Sequence, residues 1–399
     1  MSGDTKPELK PSNTNPWYLM ATLYGEQTRE ESDKALAEKN RRAWNYWVAF
    51  SDRIPKHTRQ LLLPKVTRAA ELSGTEELRG NGLEERFRAR GQGTFEKVPE
   101  FESTIDLANL AFAQLVDFSG YIFPIDVSFM NSRFREQASF KNATFAGKTY
   151  FAETNFDDDA IFYGAKFFHY SAFLNSVFAK GAEFKGAEFQ SHTKFAGSDF
   201  KSAPPDFSDA VLRQATEWHD ITWPPPPQNC KEARSHVHAY ECLKLEMQRL
   251  GKHEEEQDFF AKELRARRAL LWFTAHEADR HVGKRLNALF KAGLNWSYST
   301  FSGYGLSVSK PLFWLAMLVA VGTIGYMQTP ALEDGPMDLW DALELSATNL
   351  ISFLPYRPDK WVSAHLSTSG KWVGNAQAFL GLVLLFLLGL ALRNRFRMK

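Results

Sequence analysis

The chain has 399 residues, enough for two or three domains, and a formal net charge of +1 at pH 7. A charge so close to zero excludes a chain-wide electrostatic field that would attract nucleic acid or an acidic ligand. Two cysteines, Cys230 and Cys242, are too few for a disulfide framework in a chain of this length, and they favour a reducing compartment.

The first 100 residues predict a helical and irregular capping region. The opening "MSGDTKPELKPSNTNPW" is polar and rich in proline, so it lacks the apolar run of a signal peptide. Residues 30–50 predict an amphipathic helix that carries Trp44, Tyr46, Trp47 and Phe50. We expect these aromatic residues to cap the open end of the domain that follows, and docking of a partner is the alternative.

A repeat of 11 residues follows, with phenylalanine at alternating steps of five and six. The in-register positions between 118 and 200 are Phe118, Phe123, Phe129, Phe134, Phe140, Phe145, Phe151, Phe156, Phe162, Phe167, Phe173, Phe178, Phe184, Phe189, Phe195 and Phe200. A helix would not hold these residues on one face, and in a flat strand an odd period reverses the face. The pattern therefore predicts a solenoid in which each short segment turns a corner and points one phenylalanine inward.

A small residue stands two places before each phenylalanine in the regular part of the repeat. Each of these positions, from Ser132 to Ser198, holds Ala, Ser or Thr. A large and a small side chain on the same side of an extended segment fit a narrow, filled tube. We therefore assign the phenylalanines to the solenoid core, and a track for aromatic ligands is the alternative.

The segments "ASFKNATFAGKTYFAETNF" and "AKGAEFKGAEF" resemble the Phe-centred, five/six-spaced branch of the pentapeptide-repeat proteins. The resemblance covers residues 101–212. It implies a mainly β solenoid, namely a right-handed quadrilateral β-helix with 22 residues in each coil and about five coils.

Two further segments connect the repeats to the C-terminal region. Residues 213–229 end with "WPPPPQN", directly before Cys230, and predict a stiff, proline-rich linker. Residues 230–306 predict a helical adaptor, in which a helix pair is broken at Gly251. This pair resembles the helices that often follow such repeats in membrane-anchored members of the family.

Residues that could carry chemistry are few. His236, His238 and Cys242 share a predicted helix, but no CxxC or HExxH motif accompanies them. The acidic run at 157–159 is interpreted as a solvated turn. No phosphate-binding loop or nucleophile–base constellation is apparent, so we expect neither an enzyme nor a metal or other cofactor.

Two uncharged segments predict transmembrane helices. Residues 311–329 and 372–392 are each long enough to cross a hydrocarbon core. The intervening residues 330–371 contain six acidic residues and three basic ones, whereas "RNRFRMK" after the second segment contains four basic residues. The positive-inside rule then places both termini in the cytoplasm, and the family resemblance implies a bacterial inner membrane with two spans.

Residues 335–359 predict a short amphipathic helix between the spans, followed by a turn at proline. Span, short helix, turn and span is the layout of two-helix cation channels, and some family members carry a similar segment. A pore-like segment would then include Ser346, Thr348, Asn349, Ser352 and Phe353. The stretch "NLISFLP" stands where a potassium-selective filter would require a TVGYG-type sequence, so the sequence does not predict that this segment conducts ions. An interfacial helix that steadies a hairpin anchor is the alternative, so the domain of residues 307–399 has a re-entrant or interfacial helix.

Glycines form a stripe in the second span. Gly374, Gly381 and Gly389 are seven and eight residues apart and lie on one narrow face of a helix. Such a stripe allows close packing of membrane helices, either between subunits or against Gly322 and Gly325 of the first span.

The sequence as a whole predicts a membrane-anchored cytoplasmic β-helix that acts as a protein-interaction scaffold. A divergent two-span channel with a solenoid domain is the alternative. The expected partners are the lipid bilayer, an unidentified protein on the β-helix and further copies of the chain. Residues 101–212 contain fourteen acidic and nine basic residues, too small an excess for mimicry of DNA, so no nucleic-acid role is expected.

Overall fold

The computed structural model describes residues 8–28, 34–54, 58, 74–102, 104–277, 282–328, 337–350 and 367–397. The chain divides into two compact units, residues 1–266 and 267–399, and the division falls within one helix.

The first unit is built mainly from short strands, with helices before and after them in the chain, and the described part of the second unit is helical. The strands are β1 (Lys10–Pro11), β2 (Thr104–Asp106), β3 (Leu110–Phe112), β4 (Val116–Asp117), β5 (Ile122–Phe123), β6 (Asp126–Ser128), β7 (Arg133–Phe134), β8 (Ala138–Ser139), β9 (Thr144–Phe145), β10 (Thr149–Tyr150), β11 (Asn155–Phe156), β12 (Ala160–Ile161), β13 (Lys166–Phe167), β14 (Ser171–Ala172), β15 (Val177–Phe178), β16 (Ala182–Glu183), β17 (Glu188–Phe189), β18 (Thr193–Lys194) and β19 (Asp199–Phe200). The α-helices are α1 (Pro16–Ala21), α2 (Lys34–Phe50), α3 (Gly82–Arg90), α4 (Cys230–Arg249), α5 (His253–Glu277), α6 (Val282–Ser302), α7 (Ser309–Gln328), α8 (Leu339–Leu350) and α9 (Thr368–Arg397).

The strands form four parallel sheets, which confirms the predicted β solenoid. Their orders are β1-β3-β7-β11-β15-β19, β18-β14-β10-β6-β2, β16-β12-β8-β4 and β17-β13-β9-β5. Within each sheet, consecutive repeat strands are four strands apart in the chain, and Phe156 pairs with Phe134 and Phe178. One coil therefore takes 22 residues, and residues 104–200 make about four turns.

Phenylalanine rings fill the interior of the solenoid. Nearly every ring stacks on the ring one coil away, and Phe162 lies 4.9 Å from both Phe140 and Phe184 with nearly parallel planes. Across the tube, Phe162 meets Phe173 edge to face at 5.5 Å. Stacked and edge-to-face pairs are the two favourable arrangements of aromatic rings, so the same side chain both fills space and fixes its neighbours.

The small residues provide a ladder of hydrogen bonds along one side of the tube. We call the in-register Phe or Leu of each side the central residue. Every 22 residues, a buried hydroxyl donates to the carbonyl of the central residue 25 positions earlier. Thr154 Oγ1 donates to Phe129 O at 2.8 Å, and Ser176 Oγ donates to Phe151 O at 2.6 Å. These hydroxyls satisfy carbonyls that water cannot reach, which explains why Ser or Thr replaces Ala on this side.

One corner in each half-coil has a left-handed backbone. The corner residue follows every second central residue by two positions, and it is usually Gly, Asn or Asp, which tolerate positive φ. Glu153 is an exception, with φ of +57° and an exposed side chain. We infer that this corner stores strain that Asn142 and Gly164, at the preceding and following corners, avoid.

Helix α2 covers the N-terminal end of the solenoid. Trp44 is fully buried, and its Nε1 donates to Ile122 O at 2.7 Å. The rings of Trp47 and Phe101 lie 4.1 Å apart. Of the four aromatic residues expected to form the cap, these two tryptophans contact the solenoid, whereas Phe50 is 63% exposed.

At the other end, the stacking continues beyond residue 212. Trp218 stacks on Phe195 at 4.8 Å, and Trp223 lies 5.9 Å from Phe200. Isolated parallel bridges, among them Glu188 with Val211, add part of a further turn. Phe259 of α5 meets the edges of both tryptophans and closes this end.

Candidate functional site: the helix between two apolar helices

Two helices of the second unit are long and apolar enough to cross a membrane. They are α7, Ser309–Gln328, and the part of α9 from Thr368 to Phe396. Both contain the segments predicted from the sequence, and each exposes most of its apolar side chains within this unit. Length and composition support this assignment, and the two helices are candidate spans.

Helix α8 packs between α7 and α9 through the face that carries Ala342, Leu345 and Ser346. Ala342, Leu345 and Ser346 are buried, whereas Leu339 and Leu343 are exposed. The buried face joins Tyr326 and Met337 in a small apolar cluster with Val373 at its edge. The side of α8 that carries Leu339 and Leu343 therefore remains uncovered by the described residues of the chain.

The C-terminal end of α8 reaches the middle of both long helices. Ser346 Oγ donates to the carbonyl of Val319, at the midpoint of α7, at 2.8 Å. The backbone of Leu350 lies against Gly381, thirteen residues after α9 begins, which corresponds to about 20 Å along the helix. Helix α8 therefore lies alongside the middle of α7 and α9 and is not confined to the ends of these two helices.

A polar cluster holds α8 in this position. Gln377 is buried, and its Nε2 donates to Ser346 O at 3.0 Å and to Ser346 Oγ. Asn349 Nδ2 donates to the hydroxyl of Tyr326 at 2.9 Å. Gln377 Oε1 is buried and has no hydrogen-bond partner among the described residues. An unsatisfied amide oxygen between apolar helices is costly, so the cluster marks a place that water or a cation could stabilise.

The residues predicted as a pore-like segment have different positions. Ser346 and Asn349 belong to the polar cluster, and the hydroxyl of Thr348 donates within α8 to the carbonyls of Glu344 and Leu345. Ser352 and Phe353 lie outside the described residues. Gln377 was not among the predicted site residues, although a polar residue inside an uncharged segment is a usable signal.

The glycine stripe of α9 lies partly against α8 and not only against α7. A Cβ on Gly374 would lie 3.2 Å from the hydroxyl of Tyr326, and one on Gly381 would lie 2.8 Å from Leu350 Cδ2. Gly389 has nothing within 4 Å of its Cβ position among the described residues. Two of the three glycines therefore serve packing within the chain.

The sixteen predicted core residues of the solenoid are all buried, with at most 1% of their surface exposed. They are Phe118, Phe123, Phe129, Phe134, Phe140, Phe145, Phe151, Phe156, Phe162, Phe167, Phe173, Phe178, Phe184, Phe189, Phe195 and Phe200.

Elsewhere in the described residues, several polar side chains pair with one another. In the acidic turn, Asp157 pairs with Arg133 at 2.7 Å and Asp158 with Lys180 at 2.7 Å. His238 Nε2 lies 2.7 Å from Ser208 Oγ and 3.9 Å from Cys242 Sγ. Burial raises the pKa of the Cys242 thiol, which disfavours the reactive thiolate. No group of three potential metal-binding side chains occurs within the described ranges.

Comparisons with known proteins address the repeat region. No curated protein and no solved structure matches the chain. Residues 129–177, which lie at the centre of the solenoid, match the family described as pentapeptide repeats (9 copies).

Proposed function

We propose that this protein is a membrane-anchored scaffold, in which the β-solenoid offers its outer faces to a protein partner. The observation that carries this proposal is the filled interior. Sixteen phenylalanine rings occupy the tube, and helices cover both ends. A ligand therefore has access only to the four outer faces, which are regular and rigid.

The chemistry of these faces supports binding rather than catalysis. Charged side chains pair between coils, for example Arg133 with Asp157 and Lys194 with Glu217. Exposed apolar residues interrupt the charges at Met130 and Tyr163. Flat surfaces with a few aromatic or Met anchors within a polar surround are typical of protein interfaces.

Photocrosslinking in cells tests the scaffold proposal. A photoreactive phenylalanine would replace Tyr163 or Met130 on the solenoid, and Phe50, which is more exposed but lies on the capping helix, serves as the control position. We expect a discrete crosslinked species of one size from both solenoid positions and not from position 50. Absence of such a species, or the same species from position 50, would contradict the proposal.

Cation permeation through the membrane unit is a second candidate function, and the position of α8 favours it. The C-terminal end of a helix carries partial negative charge, and α8 directs this end toward the midpoints of the two candidate spans. A simple anchor requires no inserted helix. Helix ends and unsatisfied carbonyl groups at this depth occur where they line a cavity or an ion path.

Flux measurements in vesicles test permeation. Vesicles that contain the inserted protein should release potassium faster than protein-free vesicles, and Gln377→Leu should reduce the rate several-fold. Phe379→Leu, at an exposed position of the same helix, is the matched control and should leave the rate unchanged. Release no faster than from protein-free vesicles would exclude permeation but leave the scaffold proposal intact.

A further inference from the structure

Helix α6 exposes a continuous apolar face. Val282, Leu286, Phe290 and Leu294 are 73%, 62%, 67% and 56% exposed, respectively. Residues four apart are neighbours on a helix, so this row covers a sector of about 120°. Trp296, which is 56% exposed, lies beside the row. Such a face is too large and too continuous to be left in contact with water.

The charges of α6 lie outside this sector and have one sign. Lys284, Arg285 and Lys291 are exposed, and the sequence from 282 to 302 contains no acidic residue. Lys284 and Lys291 are turned by about 180–200° from Val282, on the opposite side of the helix. A basic face opposite an apolar face with a tryptophan at its edge is typical of helices that lie in a membrane interface.

The C-terminal end of α6 is fixed beside the beginning of α7, a candidate span. Trp314 Nε1 donates to Thr300 O at 3.2 Å, and the rings of Trp314 and Phe301 lie 5.0 Å apart. The Tyr304 hydroxyl donates to Asn295 Oδ1 at 2.9 Å. The end of a span coincides with the membrane interface, so α6 is tethered at the depth where an in-plane helix would lie.

We propose that α6 is an in-plane membrane helix that binds the interface of an anionic leaflet. Its apolar row enters the boundary between headgroups and acyl chains, and its basic residues meet the lipid phosphates. The lack of acidic residues and the tether to α7 favour a lipid surface over a protein groove as the occupant. The inference rests on the proposed insertion of α7 and α9 into a membrane.

Spin labels in the full chain, reconstituted in vesicles with one quarter phosphatidylglycerol, test this inference. The background carries Cys230→Ser and Cys242→Ser, and single labels replace Phe290, Lys284 or Phe379. We expect the label at 290 to be reached more readily by oxygen, which partitions into lipid, than by a water-soluble nickel complex. The label at 284 should show the opposite preference.

The label at 379, on an exposed position of α9, separates the two proposals. If this label is accessible to oxygen while the label at 290 is accessible to nickel, the span remains and the α6 inference fails. If nickel reaches both labels, the proposed insertion itself fails. If neither reagent reaches the label at 290, a protein covers the face and the lipid proposal is overturned.

The basic residues have their own test in the same system. The ratio of oxygen to nickel accessibility at 290 should be higher in anionic than in zwitterionic vesicles, because the phosphates attract the basic face. Lys284→Gln, Arg285→Gln and Lys291→Gln together should remove this difference. An equal ratio in the two vesicles for the unaltered basic face would overturn the assignment to an anionic leaflet.

Discussion

The Cα of Leu350 lies 3.2 Å from the position that a Cβ would occupy on Gly381. A side chain at 381 would therefore collide with backbone, which cannot move aside as a side-chain end can. The contact joins the end of α8 to the middle of α9, and it depends on the absence of a Cβ.

We predict that Gly381→Leu destabilises the second unit, residues 267–399, whereas Gly389→Leu does not. Overpacking at 381 should cost about 1–3 kcal/mol, while both changes gain similar helix propensity. Thermal unfolding of the protein in nanodiscs measures the difference, because Gly389 has open space among the described residues and serves as the matched control. Equal midpoints for the two variants would contradict the position of α8.

In the solenoid, Phe162→Ala should cost about 3–5 kcal/mol of local stability. The reason is the loss of two stacked neighbours and three edge-to-face neighbours around a fully buried ring. Phe168, out of register and only partly buried, is the control and should cost much less on replacement by Ala. Hydrogen exchange of peptides from neighbouring coils reports both losses, and equal losses would refute the 11-residue frame.

At the strained corner, Glu153→Asn should stabilise the coil by about 1 kcal/mol, because Asn tolerates positive φ better than Glu. Hydrogen-exchange protection of the peptide around residue 153 should rise. Asn142→Glu, at the corner of the preceding half-coil, provides the reverse change and should lower protection. Unchanged protection in both variants would show that these corners carry no strain.

Acidification should loosen helix α4 through His236. Burial lowers the pKa of this imidazole below its usual value, although the charge of Glu232 opposes the shift. The unfolded state then binds a proton before the folded state does, so stability falls as pH drops below about 6.5 and levels off below the folded pKa. The protection factors of amide hydrogens across 230–249, which correct for the slower intrinsic exchange at lower pH, should fall between pH 7.5 and pH 5.5.

His236→Gln, which cannot take up a proton, should flatten this pH dependence. The difference between the two proteins isolates His236 from the other titrating groups, including His219, whose pKa is raised by Asp220. An identical pH response in both proteins would assign the effect to other residues.

Much of the solenoid could be predicted from the sequence because its core repeats a single residue type at a fixed interval. Phe140 and Phe162 occupy equivalent places one coil apart, so the spacing alone determined the coil length. Trp218 and Trp223 were missed as stacked residues, although they continue the steps of five and six after Phe207 and Leu212. The step from Phe200 to Phe207, which includes Pro204 and Pro205, is seven residues long, so the repeat loses its register there. Beyond it, tryptophan replaces phenylalanine at the in-register positions 218 and 223.

The contacts that fix the position of α8 between α7 and α9 could not be predicted in this way. Hydropathy identifies helices α7 and α9 from their own composition, whereas the depth of α8 depends on contacts between residues far apart in the chain. Ser346 and Gln377 are 31 residues apart, and each has an ordinary neighbourhood in the sequence. Their pairing, and the contact of Gly381 with Leu350, appear only when the three helices are placed together.

A pair of reporter fusions tests whether helices α7 and α9 both cross a membrane and anchor the solenoid to it. One fusion follows residue 399 and the other is inserted in the 330–371 segment, and each carries reporters that are active on only one side of the membrane. If both helices cross the membrane, we expect the two reporters to lie in opposite compartments, with the fusion after residue 399 in the cytoplasm. The same compartment for both fusions would contradict two spans, and a fusion after residue 399 outside the cytoplasm would contradict the cytoplasmic solenoid.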